Sequence, residues 1–341
     1  MFRIREAHVE DLEPLLELAR LLDTVNLPND RQVLERIVDL SGRSFAQTND
    51  VFEREYLFVL EDLSKNRIIG TCMIHAQHGT RRSPHIFFEV LEEERYSATL
   101  DRHFVHRCLR IGYNYAGPTE IGGLILLPEY RGRPEALGKL LSYVRFLFIG
   151  MHRDRFRDEV LSELLPPLEA DGTSLLWESL GRIFTGLSYQ EADRLSKDNK
   201  EFIRTLFPEG MIYTSMLPPA VQKVIGVVGP QTRGVEKMLK QIGFAYAQRI
   251  DPFDGGPHFT ATTDEITLVK GTRRARVVAV ETVDDGRPWG IVAREGGAPH
   301  GFVAVPSRFR ATPGGSELGL PESARTSLGA APGDEVAYLG L

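Results

Sequence analysis

The stretch Ile125–Leu141, ILLPEYRGRPEALGKLL, reads as a buried strand that stops at Pro128, a turn rich in small and basic residues, and the opening of a helix. Within that helix Leu137, Leu140, Leu141, Val144, Leu147, Phe148 and Met151 recur at intervals of three and four, which keeps them on one face. A strand that ends in such a turn and feeds a helix aims unpaired backbone N–H groups at one point. Those groups and the helix dipole suit a pyrophosphate. Arg131 and Arg133 can add charge-assisted contacts to its oxygens. An ordinary βα turn with two solvated arginines would read the same, so this element does not choose alone.

Working outward towards the N-terminus, residues 2–5 alternate as a short strand. Leu12, Leu15, Leu16, Leu18 and Ala19 then recur at helical spacing, and a second helix runs from Arg31 to Leu40. Two β-rich runs, Tyr56–Asp62 and Arg67–Ala76, flank the polar turn LSKN and form a hairpin. A third strand is expected at His85–Glu89, and the stretch around His103 and His106 looks helical and rich in charge. Towards the C-terminus, residues 155–208 are helical in pattern, an insertion rather than a linker. Pro230–Asp251 reads as a helix ended by Gly243 and a strand from Phe244. Beyond Gly271 short β-rich pieces (residues 275–283, 289–295, 301–307 and 334–341) alternate with Gly/Pro/Asp turns, the texture of a small antiparallel β module.

Hydrophobic residues make up 42% of the 341 and charged residues 26%, the balance of a globular protein with a sizeable core. The formal charge of −6 argues against a general nucleic-acid coat. Cys72 and Cys108 are the only cysteines and lack metal-ligand spacing, so neither a disulfide scaffold nor a structural zinc site is expected. The N-terminal residues carry scattered charges and no apolar core of a secretory signal. The most apolar segment, Leu137–Met151, is interrupted by Lys139 and Arg145 and falls short of the roughly 20 residues a spanning helix needs. A soluble, cytoplasmic protein without membrane or nucleic-acid partners is the expectation.

The running order of strand, helix, helix, hairpin, strand, R-G-x-x-x-x-x-G turn, helix, and a late helix–GF–strand resembles the GCN5-related N-acetyltransferase (GNAT) superfamily. Its acyl-CoA loop usually reads R-x-x-G-x-G/A. Here the loop is two residues longer, with Ala136 and Gly138 where the two small residues belong. A narrower resemblance is carried by PTEIGGLILLPEYRG, LGKLLSYVRFLFIGMHRDRFRDEVLSEL, LWESLGRIF, GMIYTSMLPPAVQKVIG and GPQTRGVEKMLKQIGFAYAQRIDPFDGGPHF. In sequence and order these are similar to the arginine N-succinyltransferase family, which moves succinyl from succinyl-CoA to the α-amine of arginine in bacterial arginine catabolism.

The resemblance implies an α+β fold with a mixed central sheet flanked by helices. It would comprise a GNAT-like acyltransferase domain over residues 1–270, with a helical insertion at about 155–225, and a β-rich module over 271–341. It implies succinyl-CoA as co-substrate with no permanently bound cofactor and no metal. It also implies arginine or a related basic amine as acceptor, and an oligomer that can include a paralogous subunit. Main chain at Leu124, Ile125 and Leu126 would meet the thioester, while Arg131, Gly132, Arg133, Ala136 and Gly138 would hold the CoA phosphates. Glu120, just ahead of the strand, is a candidate base and a holder of a cationic acceptor, or else a solvated strand-end carboxylate. Asp254 in FDGGP is a candidate partner for a guanidinium, or else shapes the turn.

One position departs from the pattern. The family's proton-donor histidine precedes P-Q-T, where this chain has Gly229; the tyrosine many GNATs carry four residues before the late G-F is Leu239. The nearest histidine candidate is His258, which a half-exposed strand position would equally explain. Proton transfer by a positioned side chain is worth about 10²–10⁴ in rate. The departure therefore leaves three readings: the succinyl transfer itself, a changed acceptor or acyl donor, and a catalytically impaired ligand-binding subunit.

Overall fold

The computed structural model describes all residues except 22–26, 82, 197–198, 281–282, 284–288 and 298–300. The two residues 281–282 of the expected β piece 275–283 thus lie outside the described residues. In chain order the first elements are β1 (Phe2–Glu6), α1 (Leu12–Ala19), α2 (Arg31–Phe45), β2 (Glu55–Asp62) and β3 (Arg67–His75). There follow β4 (His85–Ser97), β5 (Arg102–Asn114), β6 (Thr119–Leu126), α3 (Leu137–Met151) and β7 (Glu159–Glu163). Helices α4 (Arg182–Thr185), α5 (Tyr189–Ser196) and α6 (Glu201–Leu206) lead to β8 (Ile212–Tyr213), α7 (Pro219–Gln222) and α8 (Arg233–Gln241). Then come β9 (Ala245–Ile250), β10 (Pro257–Thr262), α9 (Thr267–Gly271), β11 (Arg273–Val280), β12 (Trp289–Glu295) and β13 (Phe302–Arg308). The last elements are β14 (Arg310–Ala311), β15 (Glu317–Pro321), α10 (Glu322–Leu328) and β16 (Glu335–Gly340). The fold class is α+β, as the sequence implied.

The chain divides into two compact units. One holds Met1–Ala76, Glu120–Asp158 and Thr263–Leu341; the other holds Gln77–Thr119 and Glu159–Thr262. These divisions do not follow the boundary expected at 270/271. The reason is strand pairing: β13 pairs antiparallel with β1, at Ile4↔Ala304 and Arg5↔Val303, which sets the tail into the first unit's sheet. That sheet runs β14-β15-β11-β16-β12-β13-β1-β2-β3-β6. Most ladders in the tail are antiparallel, but β11 and β15 pair in parallel, with α10 and β16 after them in the chain.

Aromatic rings explain the tail's place. Phe302 is fully buried, with its ring 5.4 Å from Phe58 and 5.2 Å from Phe148 of α3. Phe45 of α2 lies 5.5 Å from Phe148, so strands and helices from three distant parts of the chain meet in one cluster.

In the second unit the order is β7-β10-β9-β4-β5-β8. The stretch around His103 and His106, expected to be helical, is strand. It belongs to β5, which pairs with β4 in a hairpin of 13 residues a side. The alternation Phe104, His106, Cys108 supports a strand face once β4 supplies a partner, an instance of pairing overriding local charge. The insertion begins with a strand, β7, before its short helices. Trp177 anchors those helices: it is fully buried, stacks on Phe253 at 4.9 Å, and donates Nε1–H to Leu187 O at 3.0 Å.

If Phe302 is a core residue of the first unit, Phe302→Ala lowers the unfolding free energy of that unit by about 3–5 kcal/mol. Urea denaturation followed by near-UV circular dichroism checks this. An unchanged main transition, with loss confined to a separate early one, would mean that the tail folds by itself.

Candidate active site

In the first unit, β6 breaks its ladder with β3. The register runs Ile121↔Ile74 and Gly122↔Met73, then resumes at Ile125↔Thr71, so Gly123 and Leu124 together oppose Cys72. Gly123 sits at φ +57°, and a Cβ there would lie 2.9 Å from Met73 Cγ. Both the left-handed backbone and the lack of room require glycine. The bulge leaves main-chain groups at 123–124 out of the ladder, next to the buried Ile125 and Leu126. Oriented N–H groups of this kind are what an acyl oxygen needs when negative charge develops on it.

A buried cation braces the bulge. Arg145 of α3 is 2% exposed, donates Nη1–H to Gly122 O at 3.3 Å, and holds Ser142 O and Oγ at 3.0 and 2.9 Å. Burial pulls its pKa below the ordinary guanidinium value, and burial pushes the Cys72 thiol opposite the bulge up to about 12. Sequence reasoning noted Arg145 only as an interruption of an apolar run. A lone cation on the buried face of an apolar helix was the available signal.

From Leu127 the chain makes a turn through Pro128–Tyr130 and passes Gly132, at φ +68°, to Ala136, at φ +50°. Ala136 is the N-cap of α3 and brings no capping side chain, so the first-turn N–H groups are not sealed from within. A Cβ on Gly132 would meet nothing within 4 Å and faces open space, while one on Gly138 would make an ordinary contact with Leu126 Cδ2 at 3.9 Å. The arginines behave differently from a simple phosphate clamp. Arg131 Nε donates to Leu126 O and Arg133 Nε to Glu129 O, each at 3.0 Å, and Arg133 lies 4.2 Å over the Tyr130 ring. They shape the loop while their guanidinium ends keep it positive. Tyr130 is buried and donates to Asp62 Oδ2 at 2.9 Å, which ties the loop to the β2–β3 hairpin.

Glu120 is 5% exposed on β6, three residues before Gly123, and pairs across the ladder with His75. The solvated strand-end alternative does not describe it. Sequence reasoning missed His75, whose Nδ1 lies 3.2 Å from Glu55 Oε1. The unit thus brings together Glu120, Leu124, Ile125, Leu126, Arg131, Gly132, Arg133, Ala136 and Gly138 along one continuous strand–turn–helix.

His258 and Asp254 belong to the second unit. His258 is fully buried, not half-exposed; it lies across the β10–β7 ladder from Glu163, with Nε2 3.3 Å from Glu163 Oε1. Asp254 shapes its turn: Oδ1 accepts Gly256 N–H at 2.7 Å, while Asp251 Oδ1 accepts the N–H groups of Phe253 and Asp254. Burial, then the charge of Glu163, pushes Asp251 up to about 7. Burial, then Asp251, pushes Asp254 well above the carboxylate range. Gly229 donates its N–H to Leu165 O at 2.8 Å, and a Cβ there would lie 2.6 Å from Pro166 O. No side chain fits at this position unless backbone moves.

The strand–turn–helix is set in a mixed sheet flanked by helices, the α+β fold of a GNAT-like acyltransferase. Comparison with known proteins agrees. The family model described as "Arginine N-succinyltransferase beta subunit" matches residues 2–268, and the chain belongs to the arginine N-succinyltransferase family. The arginine N-succinyltransferase of Enterobacter sp. (strain 638) is 33% identical over 291 residues, 84% of this chain and 82% of that protein. That of Yersinia pestis (strain Pestoides F) is 31% identical over 351 residues, spanning 100% and 98% of the two chains. Among solved structures, arginine/ornithine succinyltransferase subunit AI from Pseudomonas aeruginosa matches with a TM-score of 0.84 and 28% identity. That match covers 100% of this chain and 98% of the other. Among the described residues no helix is long and apolar enough to cross a membrane.

Two outcomes follow. Despite the cost of burial, hydrogen bonds from Ser64 and Tyr130 hold the Asp62 carboxyl below its ordinary pKa. Its contribution to stability is therefore present above the unfolded carboxylate value, about 3.9, and is lost as pH falls through the lower folded one. Thermal melts between pH 7 and pH 2 should show Asp62→Asn flattening part of that acid loss; superimposable profiles would contradict the assignment. Gly229→His should lower the melting temperature and raise no activity above that of the unaltered chain, because the histidine cannot enter without displacing the Leu165–Pro166 backbone.

Proposed function

We propose that this chain is an acyl-CoA-dependent N-acyltransferase that moves succinyl from succinyl-CoA to the α-amine of arginine. The observation that carries the donor half is the bulge at Gly123–Leu124 running directly into the open start of α3. The names of the relatives support the choice of succinyl donor and arginine acceptor.

In this reading the CoA pyrophosphate lies on the first turn of α3 and over Gly132, where the backbone leaves room. The thioester carbonyl meets the N–H groups released at the bulge, which stabilise the oxyanion as it forms. Glu120 takes the proton from the α-ammonium. The free amine attacks the carbonyl carbon, the C–N bond forms, and the C–S bond breaks with CoA leaving as thiolate while the nitrogen gives its second proton to water. His75, across the ladder from Glu120 and held by Glu55, is the next group able to move that proton. We place proton transfer on these groups of β3 and β6 rather than on His258, whose ring is fully buried. We also place the reaction in the cytoplasm and the chain in an oligomer; the P. aeruginosa relative is titled as a subunit.

Gly229 supports a second reading, a changed acceptor or an impaired subunit, since the family's proton donor has no equivalent side chain there. Release of free thiol from succinyl-CoA and acetyl-CoA, with arginine, ornithine and lysine as acceptors, separates the two. The first reading expects release with succinyl-CoA and arginine, and a fall in kcat of about 10²–10⁴ in Glu120→Gln with KM for succinyl-CoA little changed. Succinyl-CoA that stabilises the protein without any turnover would make it a binding subunit. Failure to bind CoA esters at all would overturn both.

A further inference from the structure

The second unit gathers histidines that the acyl-transfer reading does not use. His85, the first residue of β4, is 2% exposed, and among the described residues neither of its ring nitrogens has a hydrogen-bond partner. Its Nε2 lies 3.3 Å from Oε1 of Glu163, the last residue of β7. The His78 ring stands edge-on to the His85 ring at 4.6 Å. One donor atom from each of His78, His85 and Glu163 lies within 4.8 Å of the other two.

Two features argue against an ordinary ion pair. The separation is long for a charge-assisted hydrogen bond, which settles at about 2.7–2.9 Å. A buried imidazole with both nitrogens unsatisfied is costly in any protein unless something completes it. A bound ion would remove that cost. Metal–ligand bonds of about 2.0–2.1 Å at a tetrahedral centre hold neighbouring donors about 3.3–3.4 Å apart, the separation found between His85 and Glu163.

We propose that His78, His85 and Glu163 form a site for a divalent transition-metal ion of the zinc type. Two imidazoles and one carboxylate suit that class of ion and leave a fourth position for water or a further ligand. His78 and Glu163 are only half-buried, which gives the ion a way in, while His85 closes the inner side. His258, 3.3 Å from the same Glu163 Oε1, is a positioning residue that orients the ligating carboxylate from behind. The ion would join the start of β4 to the end of β7. The site stands on residues of the second unit alone, so it does not depend on the acyl-transfer reading.

The test uses the full chain, stripped with a chelator and dialysed, then titrated with Co(II) and Zn(II). The expected result is one equivalent of Co(II) with the intense visible absorption of a four-coordinate ion, displaced by Zn(II), and a higher melting temperature with either metal. His78→Ala, at a half-buried position that tolerates truncation, should weaken Co(II) binding at least about 10-fold, and His258→Gln about 10–100-fold. His103→Ala, exposed on β5, should leave it unchanged. Circular dichroism of each metal-free variant verifies its fold. Absence of Co(II) uptake by the unaltered chain, or uptake that His78→Ala does not weaken, overturns the proposal.

Discussion

The donor half of the proposed site depends on one constraint: β6 must leave its ladder for two residues and then return to it. A gap of this kind in a buried strand strands main-chain polar groups, each expensive unless paired. The chain meets the constraint with a glycine that can take φ +57° at 123, and with a guanidinium that reaches from α3 to the carbonyl of Gly122. Arg145 is thus bound to the bulge by need: the bulge offers the buried cation an acceptor, and the cation keeps that carbonyl satisfied. In the proposed reading the N–H groups at 123–124 face the thioester carbonyl, the group whose charge grows as the acyl transfer proceeds.

The same division recurs one turn later. In the loop between β6 and α3 the side chains are spent inwards, Tyr130 on Asp62 and the two arginine Nε groups on loop carbonyls. The backbone faces outwards, with an alanine where a capping serine or aspartate would have sealed the helix. In the proposed reading a phosphate meets N–H groups already held in place, so little ordering is needed on binding. The arginines supply a positive field more than fixed contacts. Within this loop Gly132 and Ala136 both take left-handed backbone.

Much of this was legible in the sequence, because the strand–turn–helix is local and its periodicities change within a few residues. Residues Leu124 to Gly138 form the strand end, turn and helix start that the pattern predicts. What was not legible depends on pairing between distant segments. The tail beyond Gly271 looks self-contained until β13 finds β1, nearly 300 residues away in the chain. The charged run of β5 looks helical until β4 lies beside it. His75 carries no motif and gains meaning only from facing Glu120. Gly229 was visible as a departure from a family pattern, but its cause was not: only the packing of Leu165 and Pro166 against it explains why no side chain stands there.

That packing bears on how a chain without the family histidine can still turn over. The missing group's task is to protonate a departing thiolate, and a thiol of ordinary pKa, about 8.5, leaves tolerably without help near neutral pH. Orientation and oxyanion stabilisation carry more of the barrier in acyl transfer, and the proposed mechanism assigns both to β6 and the start of α3. Those elements are intact. The harder proton is the one on the attacking ammonium, with an amine pKa well above the leaving thiol's usefulness as a base; a carboxylate must collect it. Glu120 is buried, three residues from the bulge, and faces an imidazole that a second carboxylate holds by its Nδ1. In the proposed mechanism the chain loses the acid and keeps the base and the oxyanion site, so Gly229 is compatible with a working transferase.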